Sequence, residues 1–124
     1  MQNNEDLFFE RMPQSLPLYQ LFAEKVLAEY PDAQIIIQKS QIAFYDKHNF
    51  AFVWLPIRRM KNRPEIYIIV SFVLAYRLDS PRIIESTEPY PNRWTHHVIV
   101  QDQNEIDTEL MDWMKEAHDF AVKK

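Results

Sequence analysis

KSQIAFYDKHNFAFVW, residues 39–54, decides the fold. Two aromatic-rich segments meet at the polar stretch Asp46-Lys47-His48-Asn49, where Asp and Asn supply the local hydrogen bonding of a turn. The reading is a β-hairpin built from residues 41–46 and 49–56. With a two- or four-residue loop, Tyr45 pairs with Phe50, Ala43 with Phe52 and Gln41 with Trp54. Lys39, Gln41, Tyr45, Phe50, Phe52 and Trp54 then share one face; Ile42, Phe44, Ala51, Val53 and Leu55 share the other. An odd loop would exchange the faces, because a one-residue slip does so. Lys39-Ser40-Gln41 interrupts the apolar run that leads into the hairpin. A strand that stops to carry a charge and an amide is either leaving the sheet or presenting those groups to a partner.

Outward from the hairpin, further elements follow. Residues 33–39 read as a preceding strand. Residues 65–76 are apolar on both faces, as expected of a central strand. Residues 82–88 fit either a strand or a short helix, and residues 94–101 read as a last strand. Before the hairpin, Ser15-Leu16-Pro17 signals a helix start, with Pro in the first turn and Ser near the cap. Leu18, Leu21, Phe22, Val26 and Leu27 fall on one face of that helix, and Pro31 stops it. After the last strand, Asn104 is expected to cap a helix whose apolar stripe is Ile106, Leu110, Trp113, Met114, Ala117, Phe120 and Ala121. The expected fold is α+β: an antiparallel sheet of about five strands in a meander, with an N-terminal and a C-terminal helix on one face. Residues 1–16 form an arm or short helix, and residues 17–124 a single domain.

The 124-residue chain suffices for one core, with 47% hydrophobic and 14% aromatic residues. Cysteine is absent, which removes disulfides, thiolate metal sites and a Cys nucleophile and suits a reducing cytosol. No secretory signal and no span of about 20 apolar residues is present, so the expected location is cytoplasmic, away from a membrane. Glycine is absent too, where ordinary usage near 7% would supply roughly nine. That excludes the P-loop, the dinucleotide fingerprint and the G-x-S-x-G elbow, each of which needs glycine's backbone freedom or close approach. Net charge is −4. Arg58, Arg59, Lys61 and Arg63 cluster without an acid in residues 57–64, leaving 10 basic against 18 acidic residues elsewhere. One basic loop on an acidic body is not the broad footprint of a duplex binder.

His96 and His97 are adjacent on a strand, so they point to opposite faces and cannot readily share one metal. No metal or cofactor is expected. The plainer reading is that one His packs inward with a hydrogen bond and the other lies at the surface. Arg82, Arg93 and Lys39 could together grip an anion, or each could pair with a surface acid such as Glu85 or Glu88. Trp54 and Trp94 could stack on a ring, or serve as core or dimer contacts. The basic loop is a weak nucleic-acid contact, more simply a solvated hairpin loop. Ser40 and Ser71 have no His or Lys near them in a recognisable nucleophile motif, although spatial adjacency stays open.

Across K-S-Q-I-A-F (39–44), N-F-A-F-V-W-L-P (49–56), S-P-R-I (80–83), R-W-T-H-H-V (93–98) and I-D-T-E-L-M-D-W-M-K-E-A (106–117), the chain resembles the bacterial and archaeal DUF5655 family. The resemblance runs from about Leu18 to Phe120 and implies a small α+β domain in which the hairpin matters. It implies no activity.

The leading expectation is a non-enzymatic cytosolic binding or interaction domain. Its face would combine Lys39, Gln41, Trp54, Arg93 and His96 or His97, for an anionic or planar ligand: a nucleotide, a nucleic-acid end or an acidic peptide. Two alternatives stand beside it. One is a hydrolase or nuclease using His96 or His97 as base. The other is a homodimerisation module that buries Phe52 and Trp54.

Overall fold

The structure, a computed structural model, describes residues 4–55 and 66–123. In chain order these form α1 (Asn4–Phe8), α2 (Leu16–Glu29), β1 (Gln34–Ile37), β2 (Ile42–Asp46), β3 (His48–Trp54), β4 (Ile68–Leu74), β5 (Ile83–Tyr90), β6 (Arg93–Val100) and α3 (Thr108–Val122). The strands make one six-stranded sheet in the order β1-β2-β3-β4-β6-β5, antiparallel throughout. The α+β class and the flanking helices match the sequence reading. The segment 82–88, left open between strand and helix, supplies β5.

The sheet departs from a meander at one point: β4 pairs with β6, and β5 lies outside β6. Polarity explains the exchange. β6 buries His96, Val98 and Val100, whereas β5 is mostly exposed and carries Pro89. Proline cannot donate to a ladder and belongs at an edge.

Ile42 and Phe44 of β2, Ala51 and Val53 of β3, Ile68, Val70, Phe72 and Leu74 of β4, and Val98 and Val100 of β6 line the core. Against them pack Leu18, Phe22 and Val26 of α2 and Leu110, Trp113, Met114 and Ala117 of α3. Burying each larger side chain contributes about 1.5–3 kcal/mol. Both helices therefore cover one sheet face. Phe9 joins this core from the segment between α1 and α2.

Two helix starts differ from expectation. Ser15 precedes α2 but makes no side-chain cap; its buried hydroxyl instead donates to the Tyr67 carbonyl at 2.9 Å, tethering α2 to the approach of β4. α3 begins at Thr108 with Asp107 as its cap, accepting from the Leu110 N–H at 3.0 Å. Asn104 lies in a separate 3-10 turn, capped by Asp102.

The hairpin keeps the expected pairing of Ala43 with Phe52 but reaches it by another route. Asp46 pairs with His48 and Tyr45 with Asn49, closing the turn around Lys47 alone, at φ 64°. This tight turn would exchange the faces. A bulge then inserts Phe50 as an unpaired residue and restores the register at Phe44 and Ala51. Phe50, expected beside Trp54, thereby turns into the core with 0% exposure.

Candidate site on the open sheet face

The face away from the helices carries a lateral row set by strand register. Ile36 pairs with Ala43, Ala43 with Phe52, Phe52 with Ser71, Ser71 with His97, and His97 with Glu85. Ser71 is the one polar residue of β4, IIVSFVL. It is only 2% exposed, so an unmade hydrogen bond there would cost roughly 1–3 kcal/mol.

Two neighbours satisfy it. The Trp54 indole Nε1–H donates to Ser71 Oγ at 2.7 Å, and Oγ lies 2.6 Å from Nδ1 of His97. The Trp54 and His97 rings meet edge to face, with centroids 5.7 Å apart. Burial pushes the His97 ring below its ordinary value near 6.5, and the Glu85 carboxylate partly offsets this. An open groove of about 380 Å³ lies over the three residues, lined also by Ser40, Gln41, Phe52, Leu55 and Thr95. That volume falls at the small end of ligand sites. The Gln41 amide donates to Gln38 Oε1 at 3.0 Å, which orients it at the groove's rim.

Of the residues expected to bind a ligand, Gln41, Trp54 and His97 come together in this groove. The others do not. Lys39 lines a different concavity, with Asn4, Leu7, Phe8, Ile37 and Gln38. The Arg93 guanidinium sits 5.7 Å over the Phe120 ring of α3. His96 faces the core, fully buried and stacked on Phe72. Its Nε2 accepts from the Leu78 N–H at 2.8 Å, and burial pushes its pKa down. The pair thus splits as alternation requires, one inward and one outward. Arg82 grips the start of α3, donating to Asp107 at 3.0 Å, to Glu109 at 2.9 Å and to the Glu105 carbonyl at 2.8 Å, rather than pairing with Glu85 or Glu88. Arg58, Arg59, Lys61 and Arg63 lie outside the described residues.

Phe52 lies in the groove on the face expected for it, with Gln41 and Trp54, whereas Ser71 and Thr95 complete the groove from outside the expected residues. A lone polar residue in an apolar strand was the available signal, but its partner His97 depends on the pairing of β4 with β6. A second cluster lies at the hairpin tip. His118 of α3 stacks on Tyr30 at 3.9 Å, and its Nε2 lies 2.7 Å from Asp46 Oδ2. It packs edge-on against Phe50 as well, so it clamps the helix to the hairpin tip. Among the described residues, no group of three His, Cys, Asp or Glu could hold a metal ion, and no helix is long and apolar enough to cross a membrane.

Compared with known proteins, residues 5–121 match the family model described as a domain of unknown function, DUF5655. No curated protein and no solved structure matched the chain.

Proposed function

The chain belongs to the DUF5655 family, and we propose that it is a small binding domain whose open sheet face takes a planar ligand. The observation that carries this reading is the Trp54–Ser71–His97 hydrogen-bonded chain beneath a groove that the helices leave uncovered. A buried serine fixing an indole on one side and an imidazole on the other holds two rings rigidly, and such preorganisation lowers the cost of binding. Phe52 and Trp54 lie two residues apart on one strand, about 6.7 Å along its axis. Both therefore project from the same face of the strand, and both line the groove. Lys39 and Arg93 stand elsewhere, and the groove's described lining holds no Lys or Arg. A planar ligand therefore suits the groove better than a strongly anionic one. The absence of cysteine suits work in a reducing cytosol.

The test is calorimetric titration of adenosine, uridine and their 5′-monophosphates into the wild-type protein and the Trp54→Ala variant. Binding of a nucleoside that weakens at least tenfold in Trp54→Ala is expected. Equal binding by both proteins, or a dimer in sedimentation that buries Phe52 and Trp54, would contradict it.

The 2.6 Å contact of Ser71 with His97 also favours a second reading, a serine hydrolase. Against it, Ser71 lies mid-strand and pairs with both Phe52 and His97. The surrounding amides are engaged in the sheet ladder, and acyl transfer needs free N–H groups aimed at the developing oxyanion. Labelling of Ser71 by a fluorophosphonate would revive the hydrolase; no labelling is expected.

A further inference from the structure

We infer that Trp54 and Ser71 act as a one-way hydrogen-bond relay that makes His97 present an N–H, rather than a lone pair, to the groove. The ligand ring then carries a hydrogen-bond acceptor at that edge and is neutral. This deepens the planar-ligand reading and rests on it for the ligand, although the relay itself is testable without one.

The direction of the relay follows from donor chemistry. An indole N–H can only donate, so Ser71 Oγ accepts from Trp54. The serine hydroxyl has one proton left to give. Its two side-chain partners among the described residues are Trp54 and His97, and Trp54 cannot accept. The proton goes to Nδ1 of His97, which must then be unprotonated. A neutral imidazole with a bare Nδ1 carries its hydrogen on Nε2. The opposite tautomer, or the doubly protonated ring, would aim an N–H at Ser71 and leave the serine proton with no side-chain acceptor among the described residues, at a site 2% exposed. Burial also disfavours the charged ring.

Among the described residues, the surroundings select against negative charge on the ligand, and a donor at Nε2 selects against a protonated ring edge. His97 pairs across the ladder with Glu85, which repels an anion, and no cationic side chain appears among the groove's described lining. The chemical class is a neutral heterocycle with a ring-nitrogen or carbonyl acceptor. Trp54 and Ser71 are positioning residues for specificity: they determine which edge of the ligand His97 can read.

The experiment has two arms. Nitrogen-15 NMR of the histidine rings in the ligand-free protein at neutral pH reports the tautomer. His97 is expected to show Nε2–H with Nδ1 unprotonated, and Ser71→Ala is expected to shift it toward a mixture. An Nδ1–H ring in the wild type would overturn the relay. In the second arm, quinoline and naphthalene are titrated against the wild type. They share a shape, and only quinoline carries an acceptor. Quinoline is expected to bind at least tenfold more tightly, although naphthalene is the more apolar. Equal binding would overturn the specificity. Binding of neither ring, with His97 still Nε2–H, would leave the relay standing and overturn the planar-ligand reading beneath it.

Discussion

His96 and His97 are neighbours in the chain and lie on opposite faces of the sheet, one accepting the Leu78 amide hydrogen in the core and the other meeting the Ser71 hydroxyl on the open face. Burial holds both rings below the ordinary value near 6.5. The unfolded chain therefore binds protons that the native protein refuses, and stability rises with pH through the window between the depressed folded values and 6.5. Below that window the loss levels off. The urea midpoint is expected to fall between pH 7.5 and pH 5. Part of that fall should vanish in His96→Gln, whose amide oxygen can replace Nε2 as acceptor without titrating. An unchanged pH profile in the variant would contradict the assignment.

Asp107 links the last helix to the sheet. Partial burial alone would raise its carboxyl, but the Leu110 N–H and the Arg82 guanidinium outweigh it and hold the group below its ordinary value near 3.8. Its contribution is present above that value and is lost as pH falls through the depressed folded one. Asp107→Ala removes the cap of α3 and is expected to cost about 1 kcal/mol in urea denaturation at pH 7. Arg82→Ala in the same background should then cost less than it does alone, because the two residues share one interaction.

Lys47 adopts φ 64° and Asn92 φ 62° in a chain without glycine. Lysine resists the left-handed region, whereas asparagine tolerates it. Lys47→Gly is expected to stabilise the protein by up to about 1 kcal/mol, and Asn92→Gly by distinctly less. Equal effects in denaturant melts would count against a strained turn at Lys47.

Ser71→Ala strands the Trp54 indole N–H and His97 Nδ1 together. A loss of about 1–2 kcal/mol is expected, with the fold retained because alanine occupies the strand without strain. Ser86→Ala on the edge strand β5 is the control, expected to change stability by no more than about 0.5 kcal/mol. A Ser71→Ala melt as mild as the control would show that the buried network carries little energy.

Local pattern made most of the fold legible. Alternation marked the strands, Pro17 and Pro31 bracketed the first long helix, and the apolar stripe from Leu110 to Ala121 marked the last. What failed depended on partners distant in sequence. Phe50 was assigned to the wrong face because the tight turn at Lys47 and the bulge after it act together, and neither leaves a signature like Asn-Gly. Ser15 carries a capping side chain, yet the Tyr67 carbonyl, 52 residues away, captures its hydroxyl. At the site, Gln41 and Trp54 were placed by hairpin register, which local sequence encodes. Ser71 joins them through β3 with β4, and His97 through β4 with β6. That last pairing skips a strand and is not written in either segment. Arg93 and Lys39 were grouped by charge, which says nothing about which side of a sheet a side chain occupies.

The chain has three tryptophans, Trp54, Trp94 and Trp113, and they report on different surroundings. Trp54 lines the groove, whereas Trp113 of α3 is buried in the core on the other side of the sheet. Titrating adenosine while recording the three indole N–H resonances by two-dimensional NMR tests the binding face most directly. A saturable shift of the Trp54 indole signal, with Trp113 unmoved, is the expected result. No shift at Trp54, or shifts confined to Trp94 and Trp113, would contradict the assignment of ligand binding to the open face of the sheet.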